Sequence, residues 1–148
     1  MKVFISHAYT DEPLVKKIAA SLEEVGLEVW DATRDVLHEA NWADEVARAL
    51  EESKAMVVLL TADALRSSWV RREIEYALGE QNYRERLIPV LASDPGELKK
   101  EDIPWILRRL HMIDMGEYSK EEEGISQIAQ ALLENDVTSS PPPSASIA

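Results

Sequence analysis

The apolar residues of the chain fall into two alternating kinds of segment. Five short runs are rich in apolar residues and have the length of β-strands: residues 2–6, 27–30, 56–60, 87–91 and 111–115. Several of these runs are continuously apolar, which is typical of strands buried on both faces of a sheet. The stretches between them mostly carry helical spacing. Strands that alternate with helices predict an α/β fold: a doubly wound, five-stranded parallel sheet with helices on both faces.

Four helices are predicted between and after the strands. The first is the clearest, because Pro13 suits a first turn, Thr10 or Asp11 can cap it, and Gly26 is a natural stop. The others are expected at about 42–53 (capped by Asn41), from near 67–69 onward, and at about 121–134. The residues predicted to face the core are Leu14, Ile18, Leu22, Val25, Val46, Ala49, Leu50, Ile74, Ala77, Leu78, Ile125, Ile128, Ala129 and Leu132. Trp30 and Trp105 are predicted to be core or half-core aromatics.

The end of the chain differs from the rest in composition. Residues 138–148 read TSSPPPSASIA, an uncharged stretch with three consecutive prolines. Such a composition is typical of a disordered or semi-extended linker. The 148 residues therefore predict one folded domain over 1–135 and a Pro/Ser-rich tail over 136–148. The tail would lead to a missing C-terminal module, with a plain disordered tail as the alternative.

Charge and composition exclude several classes of function. The net charge of −12 argues against binding to nucleic acid or to an anionic membrane surface, since both rely on Lys and Arg. The chain has no cysteine, which excludes thiol catalysis, thiolate metal sites and disulfides. No apolar run approaches membrane-spanning length, and the N-terminus has no signal-peptide pattern. The composition thus predicts a soluble, cytoplasmic domain.

Several familiar site motifs are missing from the sequence. The glycines are not clustered as in a dinucleotide-binding or phosphate-binding loop. His7, His38 and His111 lie in separate segments, so we expect no metal site. No G-x-S-x-G motif of a serine hydrolase is present. A phosphorelay receiver domain has the same strand and helix order, but its magnesium-binding acidic residues are replaced here by Ser6-His7 and Thr61.

A ligand site is expected where the strand order reverses in a doubly wound sheet. With the strand order 2-1-3-4-5, that point lies between the first and third strands, at the loops 6–11 and 61–68. The second loop leads into a segment in which Trp69 and Glu73 are four residues apart and share a helix face. By spacing alone, such a pair is more often a packed tryptophan beside a solvated acid.

A family resemblance favours a functional role for Trp69 and Glu73. The order and spacing of short motifs over about residues 1–133 resemble bacterial Toll/interleukin-1 receptor (TIR) domains. The matching segments are Phe4-Ile5-Ser6-His7-Ala8, Val29-Trp30-Asp31, Asn41-Trp42 with Glu45, Ala49-Leu50-Glu51-Glu52-Ser53, Val57-Val58-Leu59-Leu60-Thr61, Ser68-Trp69-Val70-Arg71-Arg72-Glu73 and Ile88-Pro89-Val90-Leu91. The resemblance implies a flavodoxin-like sheet of order 2-1-3-4-5. It also implies one of two roles: an NAD⁺-cleaving enzyme, or a scaffold that signals through TIR–TIR contacts.

The same resemblance implies the site residues. Glu73 takes the place of the essential glutamate of the W-x-x-x-E segment, and Trp69 would help to line the substrate pocket. Further substrate-binding candidates are Ser6, His7, Asp31 and Trp42. NAD⁺ would be the substrate, so no cofactor is expected. TIR–TIR self-association and a C-terminal sensor module would control the enzyme, as effector of a bacterial, antiphage immune system.

The implied reaction needs only one carboxylate. Cleavage of the bond between ribose C1′ and the pyridinium nitrogen releases neutral nicotinamide, so no acid is needed to protonate the leaving group. A carboxylate near the ribose could stabilise the oxocarbenium-like charge or form a covalent adduct. Both alternatives stay open, as does the product: ADP-ribose, or a cyclic ADP-ribose.

The loop before the second helix departs from the family pattern. It reads His38-Glu39-Ala40-Asn41-Trp42, whereas the family often has proline and glycine there. Because this loop often mediates TIR–TIR assembly, the geometry of any assembly stays open. A non-catalytic interaction module is the alternative function, and a host-directed effector ranks last because no secretion signal is visible.

Overall fold

The sheet is the centre of the molecule. The computed structural model describes residues 2–31, 42–80, 86–92, 98 and 100–139. Within them, five strands form one parallel sheet of order β2-β1-β3-β4-β5: β1 Lys2–Ser6, β2 Glu28–Trp30, β3 Ala55–Leu60, β4 Leu87–Leu91 and β5 Ile113–Asp114. This order confirms the predicted doubly wound, flavodoxin-like fold. The fifth strand has two residues, fewer than the run 111–115 suggested.

The strand register brings the ends of β1 and β3 together. All six residues of β3 are buried, because the strand has a neighbour on each side and helices over both faces. Ser6, the last residue of β1, is paired with Val58 of β3. The carboxyl ends of the two strands therefore meet at the point where the strand order reverses, where a ligand site is expected.

In the described part of the chain, six helices surround the sheet: α1 Glu12–Glu24, α2 Trp42–Glu52, α3 Ala62–Arg66, α4 Ser68–Gly79, α5 Trp105–Arg108 and α6 Glu121–Ser139. The same ranges contain three short 3₁₀ turns, at Tyr9–Asp11, Lys100–Asp102 and Met115–Glu117. One core cluster combines a sheet face with α1 and α6, and a second combines the other face with α2, α3, α4 and α5. Among the helices in the described ranges, none is long and apolar enough to cross a membrane.

Several sequence predictions need correction. Val25 and Leu78 are exposed, because Val25 follows the last residue of α1 and Leu78 lies next to the end of α4. Val15 and Ala19 are buried in α1 together with the predicted Ile18 and Leu22. Trp105 is 63% exposed on the short helix α5, so it is not a core residue. The other residues predicted to face the core are buried, except Leu14, which is half-buried.

Helix ends also differ from the predictions. The short helix α3 was not expected; Thr61 caps it by accepting a hydrogen bond from the backbone of Ala64. The last helix continues to Ser139, past the predicted end at 134, so the first residues of the predicted tail are helical. Residues 140–148 and the predicted cap Asn41 lie outside the described residues.

Gly26 confirms the predicted stop after α1. Its φ of 92° lies in the left-handed region, where a Cβ is strained, although nothing lies within 4 Å of where a Cβ would stand. Gly26→Ala is therefore expected to lower the free energy of unfolding by about 1–2 kcal/mol. The matched control is Gly79→Ala, which has open space and no positive φ, and is expected to be neutral or stabilising. Urea denaturation checks both; equal losses in the two variants would contradict the strain argument.

Candidate active site at the carboxyl ends of β1 and β3

A buried carboxylate lies at the switch point of the sheet. Ser67 caps α4 by accepting a hydrogen bond from the backbone N–H of Val70. The helix then places Glu73 against the end of β1. There the Ser6 hydroxyl donates to Glu73 Oε1 at 2.7 Å, and the side chain of Trp69, one helical turn before Glu73, donates a second hydrogen bond to the carboxylate. Ser6 and Glu73, which are 67 residues apart along the chain, thus meet at the Glu73 carboxylate.

The protonation of Glu73 is strongly perturbed. Only 4% of the residue is exposed, and burial raises its pKa to about 7. The hydrogen bond from Ser6, the positive charge of His7 and the hydrogen bond from Trp69 each lower the pKa, but burial outweighs them. A carboxylate that titrates near neutral pH in a crevice between strand ends is a typical candidate for a catalytic group.

A second buried cluster lies directly beside this pair. His7 Nε2 lies 2.8 Å from Asp31 Oδ1, at the end of β2, and 3.3 Å from Glu12 Oε2, at the start of α1. His7 Nδ1 lies 2.8 Å from the carbonyl oxygen of Ala8. Burial lowers the pKa of His7, but the hydrogen bonds to Asp31 and Ala8 and the charges of Asp31 and Glu12 outweigh it, so the pKa is raised.

The same three side chains could in principle hold a metal ion. Ligand atoms of His7, Glu12 and Asp31 lie within 4.8 Å of one another. However, a histidine binds a metal through an unprotonated nitrogen, whereas the 2.8 Å contact between Nε2 and a carboxyl oxygen is a hydrogen bond that holds a proton between the two atoms. We therefore assign a proton to this cluster, and the absence of a metal site stays a prediction.

Two further hydrogen bonds join the loops on either side of the crevice. Thr61 donates to Asp11 at 2.6 Å, and Thr10 donates to Asp63 at 2.7 Å. They connect the turn after β1 to the turn after β3. Sequence reasoning did not assign these roles, nor the one of Glu12. What could have pointed to these residues is that they lie in or next to the two loops at the predicted switch point.

The predicted site residues divide into three groups. Ser6, Trp69 and Glu73 form one hydrogen-bonded unit. His7 and Asp31 form a second unit beside it, and Asp31 is only 1% exposed. Trp42 is the first residue of α2, but its side chain lies outside the described residues. Its role in substrate binding stays a prediction.

Comparison with known proteins finds relatives of the chain as a whole. A protein of Cytobacillus dafuensis is 28% identical over 119 residues, covering 70% of this chain and 31% of that protein. Its name refers to a synthase of cyclic ADP-D-ribose. The stimulator of interferon genes protein of Magallana gigas is 30% identical over 127 residues, covering 84% of this chain and 30% of that protein. The chain thus spans about a third of the length of the curated relatives it matches.

Solved structures agree with the fold. A TIR-STING receptor from C. gigas superposes with a TM-score of 0.67 and 28% identity, covering 88% of this chain and 39% of that chain. The TIR domain of a Toll-related receptor from Hydra magnipapillata has a TM-score of 0.66 at 20% identity, covering 92% of this chain and 97% of that chain. The family model described as TIR domain matches residues 3–129. The chain belongs to the TIR domain family.

Proposed function

We propose that this domain cleaves the bond between nicotinamide and ribose in NAD⁺, with Glu73 as the catalytic residue. The observation that carries the proposal is the Glu73 carboxylate itself: buried, oriented by Ser6 and Trp69, and titrating near pH 7 at the switch point of the sheet. The relative whose name refers to cyclic ADP-D-ribose supports the same reaction class. No cofactor takes part, since NAD⁺ is the substrate.

The chemistry fits a single carboxylate. The bond that breaks joins ribose C1′ to a positively charged nitrogen, and its electron pair leaves with neutral nicotinamide. Positive charge then develops on the ribose. An ionised Glu73 stabilises that charge strongly, because water is excluded from the buried side chain and screening is weak. Ser6 and Trp69 hold the carboxylate in one orientation, so little reorganisation is needed during the reaction.

The fate of the ADP-ribosyl group depends on which nucleophile reaches C1′. Attack by water gives ADP-ribose and a proton, whereas attack by an adenine nitrogen of the same molecule gives a cyclic ADP-ribose. We propose that self-association through TIR–TIR contacts activates the enzyme in the cytoplasm, as effector of an antiviral immune system. A C-terminal sensor module would control the self-association.

Product analysis tests the reaction. The purified chain, at high concentration or immobilised on a support that clusters it, is incubated with NAD⁺, and the products are separated by chromatography. We expect nicotinamide together with ADP-ribose or its cyclic form, and no nicotinamide from Glu73→Ala. The matched control is Glu75→Ala, since Glu75 is exposed on the same helix and should be dispensable. Intact NAD⁺ with the folded, clustered wild-type chain would overturn the proposal.

A non-catalytic interaction module is the second candidate. The observation in its favour is an apolar groove of about 570 Å³ between α1 and α6, lined by Val25, Ala129 and Leu133 among others. Exposed apolar surfaces of this kind are often covered by a protein partner, here a second copy of the chain. Leu133→Glu would then abolish self-association measured by sedimentation, while Glu73→Ala would not.

A further inference from the structure

The turn after β1 places a positive charge next to the proposed catalytic group. Ser6, which binds Glu73, and His7, which binds Asp31, are consecutive residues. The charge of His7 also acts on Glu73 and lowers its pKa. Asp31, at the end of β2, thus binds the histidine whose charge acts on Glu73, on α4. These contacts alone give no reason for a buried aspartate, Asp31, at the end of β2, one strand away from the contact of Ser6 with Glu73.

The hydrogen-bond geometry, together with an ionised Asp31, favours the doubly protonated form of His7. The carbonyl oxygen of Ala8 accepts only, so Nδ1 must carry a hydrogen. An ionised Asp31 also accepts only, so Nε2 must carry one as well. A histidine with hydrogens on both nitrogens is a cation. The side chain is 4% exposed, and a buried cation needs a counter-charge to remain ionised. Asp31 provides that charge at the shortest distance.

We propose that Asp31 is a positioning residue of the active site: by binding His7 Nε2 it keeps His7 positively charged, and that charge favours the ionised form of the neighbouring Glu73 carboxyl group. The role of Glu73 in this relay rests on the proposed function, whereas the coupling of the three charges can be measured without it. Asp31 then acts on the reaction through His7, in place of the substrate contact that the family resemblance implies.

Three acidic groups interact with the charge of His7 from three different elements. Asp31 comes from the end of β2, Glu12 from the start of α1 and Glu73 from α4. Glu12 lies 3.3 Å from His7 Nε2, against 2.8 Å for Asp31, and contributes least to the raised pKa. The effect of replacing Glu12 should therefore have the same sign as that of replacing Asp31, but be smaller.

Nuclear magnetic resonance titration tests the coupling directly. The chain has three histidines, so the imidazole signal of His7 can be assigned from a His7→Gln variant. In Asp31→Asn, we expect the His7 titration midpoint to fall and the Glu73 carboxyl midpoint to rise by at least ~0.5 pH unit. The matched control is Asp44→Asn, an exposed residue of α2, which should move neither midpoint. Unchanged midpoints in Asp31→Asn would overturn the proposal.

A double variant distinguishes a relay from a general structural effect. His7→Gln removes the cation and should raise the Glu73 midpoint in the same way as Asp31→Asn does. In the His7→Gln background, Asp31→Asn should then cause no further rise. Additive rises would show that Asp31 acts on Glu73 by another route, and would contradict the relay. If Asp31→Asn does not fold, Asp31→Glu, which displaces the carboxylate relative to His7 Nε2, is compared in the same two backgrounds.

The pH dependence of NAD⁺ cleavage provides the functional readout. Wild-type kcat should rise with pH through the Glu73 titration near pH 7. In Asp31→Asn this rise should move to higher pH, with near wild-type kcat recovered at high pH. A purely structural role would lower kcat by one factor at every pH, which would contradict the proposal. If the wild type cleaves no NAD⁺ while the midpoints shift as expected, the proposed function fails and the charge coupling stands.

Discussion

Glu73→Gln is expected to make the domain more stable at alkaline pH while it greatly slows NAD⁺ cleavage. Glutamine has the shape of the protonated acid and can still accept the hydrogen bond from Ser6. It carries no charge, so it avoids the cost of a buried carboxylate that loses its proton. The variant should lower kcat by on the order of 10³-fold, the loss typical of a main electrostatic group in a buried site.

The direction of the stability change follows from proton linkage. Because burial raises the pKa of Glu73 from 4.5 to about 7, the folded chain binds this proton more tightly than the unfolded chain does. The stabilisation is present below pH 4.5 and is lost as the pH rises through about 7. The full difference corresponds to roughly 3 kcal/mol, of which about 2 kcal/mol is lost between pH 5.5 and pH 8.5.

Urea denaturation of both proteins at pH 5.5 and pH 8.5 measures this effect. The difference in unfolding free energy between Glu73→Gln and the wild type should grow by about 2 kcal/mol toward the higher pH. The other titrating groups are common to both proteins and cancel in this comparison. Glu75→Gln, on the exposed face of the same helix, should show no such growth. A pH-independent difference for Glu73→Gln would mean that the carboxyl group ionises in the folded chain as it does in water.

Of the substitutions considered, Trp30→Ala is expected to lower the free energy of unfolding most, by about 3–5 kcal/mol. The Trp30 ring is buried and stacks on Phe4, with ring centroids 5.0 Å apart and an interplanar angle of 17°. This contact joins β1 to β2 just before Ser6 and Asp31. The substitution therefore removes a large apolar side chain and loosens the two strand ends that carry the site.

Trp105→Ala is the matched control, because it makes the same chemical change at a residue that is 63% exposed. Its effect on the free energy of unfolding should stay within about 0.5 kcal/mol. Far-UV circular dichroism in urea measures both variants without relying on tryptophan fluorescence. If Trp30→Ala does not fold, Trp30→Phe keeps an aromatic ring against Phe4 and should lose less. Equal losses at positions 30 and 105 would contradict the structural assignment.

The strand pattern allowed most of the fold to be predicted. Residues 2–6 and 87–91 match β1 and β4, because strands buried on both faces appear as mainly apolar runs without regular alternation. Helix faces were predicted less well near the helix ends. Val25 and Leu78 continue the apolar spacing of their helices, but the positions lie where the helix leaves the sheet. The spacing of apolar residues along a helix does not tell how far each helix end lies from the sheet.

The candidate site was predicted in part. The position of the switch point predicted the two loops of the site, 6–11 and 61–68. The resemblance to the family motif predicted Glu73. The contacts of Asp31 and Glu12 with His7 could not be predicted, because they join residues that are distant in the sequence and depend on side-chain orientation. The pKa of Glu73 near 7 depends on its burial, which spacing alone did not indicate.

The hydrogen bonds from Thr61 to Asp11 and from Thr10 to Asp63 have a mechanical consequence. They couple the turn after β1 to the turn after β3, so neither turn can shift far without pulling on the other. Ser6 and His7 belong to or border the first turn, and α3, just before the Glu73 helix, follows the second. We therefore expect the two turns to move together when a molecule contacts either side of the crevice.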